Sequence, residues 1–348
     1  MHFNLKIATS IFCLAVGGLR PVCAGEKGAP KDAPPASPKA SAVQRGLAFL
    51  VQDALKWQKE RKCASCHHGT ITVWVLSEAK SRGYAADTLA DMAKWNKERL
   101  QDIDKARDKR AGWSMVNTPA VFLSTMAQAI PAQDAVSAEE LKKIAGHLVR
   151  HQESDGSWAW SLAPAKNRPP PVFESDEVVT LMAYLALGPH AAAKPNEKSD
   201  AALALEKAAA WLEKTKPSET STQASALRLL RDVRAGKPPK QVEAGINSLF
   251  ALQNKDGGWG QDKGLKSDAF ATGQALYFLS EAGVKKEREQ IQRGVAFLVA
   301  NQKKDGSWPM TSRSHPGAKP FTNPVPITYF GSAWATMGLM RSLPKAKD

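Results

Sequence analysis

Apolar and polar positions run along this chain in two registers. One is amphipathic: Leu141, Ile144 and Leu148 recur at helical spacing beside Glu139, Glu140, Lys142 and Lys143, the pattern of a helix with one wet side. The other is apolar all round, as in Val178–Leu187, Ala271–Leu279 and Tyr329–Met340, the pattern of a helix buried on both sides. The registers alternate and define six helical hairpins, over 41–83, 87–130, 137–187, 200–234, 240–283 and 287–343. Amphipathic first helices predict an outer ring and apolar second helices an inner one, so the expected fold is all-α, an α/α barrel of six hairpins. Residues 71–76 (ITVWVL) have the composition of a strand. They stand where an inner helix belongs and continue into Ser77-Glu-Ala-Lys, and are read as helix.

A short unit recurs where a first helix ends. Gly294–Trp308 (GVAFLVANQKKDGSW) is an apolar helical run, a glutamine, an Asp-Gly break and a tryptophan. The Asp side chain satisfies nearby backbone and the Gly supplies positive φ, and the Trp can fold back over the helix end. The same order stands at Gln253, Asp256-Gly257 and Trp259, and at Gln152, Asp155-Gly156 and Trp158. A fainter copy is Gly46–Gln52 with Trp57 after it.

These copies resemble the QW repeats of squalene–hopene cyclases and related prenyltransferase-type α/α toroids, over roughly 41–343. The resemblance implies that Gln152, Trp158, Gln253, Trp259, Gln302 and Trp308 tie neighbouring outer helices together. It does not by itself imply an activity.

In a barrel of alternating hairpins, every outer-to-inner connection falls on one rim. Those connections include the long ones, 153–173 with Pro169-Pro170-Pro171, 254–267, and 303–327 with five prolines. Long stiffened loops gathered on one rim mark it as the functional end. The free N–H groups of the inner helices open on the same rim.

Residues 1–24 read as a secretory signal: Lys6, the apolar core Ile7–Leu19, and the small residue Ala24 at the cut. The apolar stretch is too short to span a membrane. Residues 25–40 are a Pro/Ala/Lys linker expected to be disordered, leaving 41–343 as the toroid. Removing the signal takes away Lys6 and Arg20 and no acids, so the formal charge of +14 becomes 48 − 2 − 34 = +12. The excess is spread thinly over solvated faces; an anionic surface is a partner it allows, and no nucleic-acid motif is visible. Cutting also removes Cys13 and Cys23 and leaves Cys63 and Cys66 in an exported, oxidising setting.

Cys63-Ala-Ser-Cys66-His67 is the sharpest chemical signal. Two thiols three apart can be alkylated by the vinyl groups of a haem, and the adjacent imidazole then meets the iron, the logic of c-type attachment. The pentapeptide resembles that of c-type cytochromes over these five residues alone. A sixth ligand would come from Met115, Met310, His315 or nothing, since His68 cannot reach the opposite face. The rival readings are zinc held by Cys63, Cys66, His67 or His68 and one more ligand, or a local disulfide.

Glu174-Ser175-Asp176-Glu177 opens the third inner helix and resembles the acid motif of class II terpene cyclases. That resemblance implies Asp176 as the acid that protonates an alkene, with Glu174 and Glu177 in place of flanking aspartates. Such an acid needs a dry, hydrogen-bonded pocket. The alternative is helix capping, and Lys266-Ser267-Asp268 opens the fifth inner helix in the same way. Trp74, Phe173, Phe270, Tyr277, Phe278, Tyr329, Phe330 and Trp334 either line an apolar cavity or, on the simpler reading, pack ring to ring. Trp57 and Trp74 flank the cysteine loop. His147 and His151, one turn apart, are metal-compatible but read better as an exposed polar face.

The expectation is an exported toroid with a redox or metal centre at Cys63, Cys66 and His67, holding an apolar or polymeric ligand at the rim. The alternatives are an isoprenoid cyclase acting through Asp176, and a non-catalytic binding toroid.

Overall fold

The computed structural model describes residues 37–61, 68–100, 122, 125–127, 135–158, 174–191, 198–310 and 325–345. The outer helices are α1 (Pro38–Arg61), α3 (Leu89–Leu100), α4 (Ala138–Arg150), α6 (Asp200–Lys214), α8 (Pro239–Ala251) and α10 (Glu289–Asn301). The inner helices are α2 (Thr70–Ser81), α5 (Asp176–Leu187), α7 (Thr222–Arg234), α9 (Ala269–Glu281) and α11 (Val325–Arg341). Residues 122 and 125–127 are helical and belong to the inner helix of the second hairpin. Among the described residues no strand forms, only isolated bridges such as Gln253–Trp259.

Local sequence sets the helix starts. Ser137, Ser175, Ser199, Ser221 and Asp268 each accept a hydrogen bond from a first-turn N–H, and Ser137 with Glu140 closes a capping box. α1 begins at Pro38, inside the stretch expected to be linker. Proline suits the first helical position, and Ser37 Oγ accepts from Ala40 N at 3.2 Å. The fainter repeat copy is also corrected. Without an Asp-Gly break α1 runs on to Arg61, and Trp57 lies inside the helix.

The three well-formed copies behave alike. The Trp158, Trp259 and Trp308 indoles are buried, and each Nε1 donates to a carbonyl ten residues back, of Leu148, Leu249 and Leu298, at 2.8–2.9 Å. The glutamines bridge outward: Gln152 to Ala204 O, Gln253 to Gln290 O and Gln302 to Ala42 O, at 2.7–2.9 Å. The last bond joins the sixth hairpin to the first and closes the ring. Gly306 needs its φ of +89° there, and a Cβ on it would lie 2.2 Å from Arg45 O.

Inside, α5, α7, α9, α11 and α2 are successive neighbours. Gly273 and Gly338 let α9 and α11 touch backbone to backbone; a Cβ at Gly273 would meet Trp334 C at 2.2 Å. The inner aromatics pack ring on ring, as expected. Trp74 meets Trp334, Tyr277 and Phe122 edge-on at 5.2–5.9 Å, and Phe122 meets Phe330 at 6.2 Å. Phe173 lies outside the described residues.

Candidate functional site

The inner helices share one direction, so their N-termini meet at one end and their C-termini at the other. At the N-terminal end Glu174 accepts from Ser221 Oγ, Thr222 Oγ1 donates to Gly260 O at 2.7 Å, and Lys263 N donates to Thr220 O at 2.9 Å. This stitches the third, fourth and fifth hairpins into one rim. Beside it opens a cleft of about 490 Å³ lined by Glu174, Asp176, Glu177, Trp211, Lys216 and Asp262 among others. A larger cleft of about 680 Å³, by Leu47, Val51, Tyr84 and Leu343, contains none of the sequence-predicted site residues.

Within the acidic motif the roles divide. Ser175 is the cap: its Oγ accepts from Val178 N at 3.2 Å. Glu177 is buried, ion-paired to Arg228 and accepting from Ser218 N at 3.0 Å. Asp176 is exposed in the first turn of α5. An exposed carboxyl is stabilised by the N-terminal dipole and lacks the dry surroundings that alkene protonation requires.

Cys63, Cys66 and His67 lie outside the described residues, as do Met115 and His315, but both flanks of the motif are placed. Arg61 ends α1, and its guanidinium stands 5.7 Å over the Trp57 ring. His68 is 0% exposed, with Nε2 2.8 Å from Asp53 Oδ2. Its ring stacks on Trp57 at 4.5 Å and 7°, and meets Tyr329 at 3.8 Å. Burial holds the His68 imidazole below its ordinary pKa, against the hydrogen bond and charge of Asp53. His68 thus stands just before α2, at the end where α11 also begins. Met310, a candidate sixth ligand, packs against Gly331, whose added Cβ would meet its sulfur.

His147 corrects the expectation of an exposed polar face. It is 1% exposed, because it shares the buried face of α4 with Ile144, Ala145 and Leu148, and its ring lies 4.1 Å from that of His151 just past the helix end. Among the described residues no group of three His, Cys, Asp or Glu side chains is arranged to hold a metal. No helix there is long and apolar enough to cross a membrane.

The C-terminal end carries residues that the sequence reading missed. Glu78 of α2 is fully buried, 2.5 Å from Arg82 Nε and 2.6 Å from Arg341 Nε. Arg341 Nη1 also meets Glu281 at 2.5 Å, and Arg234 stands 3.9 Å from Glu281. The Tyr277 hydroxyl accepts from Trp74 Nε1 at 3.2 Å and Arg341 Nη2 at 3.1 Å, joining this network to the aromatic layer. Burial works against the Arg341 charge, but Tyr277, Glu78 and Glu281 together raise its pKa.

Residues 216–347 match the family model of the squalene-hopene cyclase C-terminal domain. The matched span begins beyond Glu174–Glu177. The fold is shared with the type II terpene cyclase MstE from Scytonema, at 13% identity and TM-score 0.54, over 87% of this chain and 97% of that one. It is shared equally with the unsaturated glucuronyl hydrolase of Bacillus sp. GL1, which takes part in glycosaminoglycan degradation, at 14% identity and TM-score 0.56, over 87% and 96%. A protein from Actinoplanes is similar at 16% identity and TM-score 0.53, over 87% and 99%. No curated protein matches the sequence. The chain is an α/α toroid whose residues 216–347 are similar to the squalene-hopene cyclase C-terminal domain, and this fold houses more than one chemistry.

Proposed function

We propose that this toroid is an exported protein carrying haem c on Cys63 and Cys66, with His67 as the proximal iron ligand, and that it exchanges electrons with an apolar or polymeric ligand held at the rim. The observation that carries this reading is the position of the pentapeptide. In sequence it stands between Arg61, which ends α1, and His68, which Asp53 anchors just before the inner helix α2. The donor set suits the group: two thiols at the attachment spacing, an adjacent imidazole, and no other cysteines once the signal is removed. Haem would supply one-electron chemistry. The chain would orient the ligand through the carboxylates of Glu174, Asp176 and Asp262 and the indole edge of Trp211. Zinc is the weaker alternative, because His68, one of its expected ligands, has Nε2 committed to Asp53. The cyclase alternative is weakened by the exposure of Asp176.

The test is expression with cytochrome c maturation proteins. A Soret band that stays with the chain in denaturant, a mass increase of one haem, and loss of both on Cys63→Ala or Cys66→Ala are expected. A colourless chain with one bound zinc would replace haem by a structural metal.

A further inference from the structure

Another cleft opens at the C-terminal end, away from the rim. It measures about 510 Å³ and lies between the ends of α5 and α7, the turn Gly188–His190 and α6. Arg231 and Arg234, three apart on the last turn of α7, share one face and both line it. Tyr184 of α5 adds a hydroxyl, and Leu185, Pro189 and Leu205 form an apolar wall. No carboxylate is among the described residues that line this cleft, whereas the rim cleft of similar size holds Glu174, Asp176, Glu177 and Asp262.

Helix direction alone would not draw an anion here, because the carbonyls that end α5 and α7 carry partial negative charge. Backbone caps meet part of it: Gly188 N donates to Tyr184 O, and Ala235 N to Arg231 O at 2.9 Å. The guanidiniums outweigh the rest. Arg231 commits Nε and Nη2 to Asp232 Oδ1 at 2.9 and 2.8 Å, and Gln241 Nε2 donates to Asp232 Oδ2 at 3.0 Å. Asp232 is thereby engaged outside the cleft. Among the described residues nothing bonds Arg231 Nη1 or the Tyr184 hydroxyl. Arg234 keeps Glu281 at 3.9 Å and Thr125 O at 3.4 Å, and adds its charge beside them. The two side chains are only 22% and 19% exposed, so water screens their charges poorly. A guanidinium fork matches a carboxylate or phosphate oxygen pair. A bare ion would occupy a small part of the cleft, and the apolar wall suits a body attached to it.

We propose that this cleft binds an amphiphilic oxyanion, with its head between Arg231 and Arg234, the Tyr184 hydroxyl donating to it, and its apolar body against Leu185, Pro189 and Leu205. The site goes beyond the reading of the rim and uses none of Cys63, Cys66 or His67, so either can fail without the other. The head belongs to a free amphiphile or to an anionic lipid.

The test is calorimetric titration of the full chain with octyl phosphate below its micelle concentration, beside octanol and inorganic phosphate. Octyl phosphate is expected to bind at least about tenfold more tightly than either, the scale of one hydrogen bond to a charged group. Arg231→Gln should weaken it about thirtyfold and Tyr184→Phe, which keeps the ring, about tenfold. Thermal melts without ligand confirm that each variant is folded, and Tyr184→Phe leaves the Arg231–Asp232 pair intact. Co-sedimentation with phosphatidylcholine vesicles separates the sources. Binding that needs added phosphatidic acid and is lost in Arg231→Gln assigns the head to a lipid; octyl phosphate binding without co-sedimentation assigns it to a free amphiphile. Absence of octyl phosphate binding, octanol or inorganic phosphate binding as tightly, or folded variants with the parent affinity overturns the site.

Discussion

The two ends of this toroid treat charge in opposite ways. At the C-terminal end Glu78, Glu281, Arg234 and Arg341 come from four inner helices and neutralise one another out of water. At the N-terminal end Asp176 and Asp262 line an open cleft, and Glu177 is buried with its cation, Arg228. The first arrangement buries its charges as compensating pairs. The second leaves polar groups where a ligand can reach them. Helix direction underlies the contrast: C-termini favour the arginines that gather at the base, and N-termini favour the acids on the rim.

The largest expected effect breaks the base. Glu78→Gln keeps the shape but leaves Arg82 and Arg341 facing a neutral amide in a buried site. Removing one partner from such a network costs roughly 3–5 kcal/mol, read as a fall in the urea midpoint. If Glu78→Gln unfolds at the parent midpoint, the base is hydrated and the contrast between the ends disappears. Next in size is ring closure. Gln302→Ala strips the donor from both Ala42 O and Gly306 O, and should cost roughly 1–3 kcal/mol. A matching loss in Gln152→Ala would show that the closing seam is no weaker than an internal one.

The outer-ring ties were legible in the sequence, while the base was not. Gln, Asp-Gly and Trp stand within seven residues of one another, so each tie is a local signal repeated three times. Glu78 and Arg341 are separated by 263 positions, and each reads alone as the charged end of an apolar helix. Only the barrel's closure brings them together. The burial of His68 was hidden for a related reason: its partners Asp53 and Trp57 are near in sequence, but Tyr329 arrives from the last hairpin. His147 shows the reverse error, since polarity suggested exposure while its place in the α4 stripe dictated burial.

On the rim the effects are smaller and separate capping from chemistry. Ser175→Ala removes the cap of α5 and should cost about 0.5–2 kcal/mol. Asp176→Asn, one residue on, is exposed and should change stability by no more than roughly 0.5 kcal/mol. Ligand binding should respond in the opposite order, with Asp176→Asn weakening it and Ser175→Ala sparing it. Equal stability losses would make Asp176 a structural acid and remove it from the cleft's function.

The smallest effect concerns pH. Asp155 accepts from the Ser157 backbone N–H and hydroxyl at 2.9 and 2.7 Å, and Asp305 from those of Ser307 at 2.9 and 2.8 Å. These bonds, foremost the backbone ones, outweigh desolvation and hold both carboxyls below their ordinary value of 3.8. The unfolded chain then takes up protons first as pH falls. The stabilisation is complete above about pH 4 and is lost as pH drops through the lower folded values. Both carboxyls are largely open to water, so the effect is a shallow slope in melting temperature below pH 4. Replacing both by Asn should flatten that slope and leave the melting temperature at pH 7 only slightly lower, since the turn glycines Gly156 and Gly306 keep the loop geometry. Parallel melting curves for parent and double variant between pH 5 and pH 2.5 would place the acid sensitivity outside these turns and return attention to the rim carboxylates.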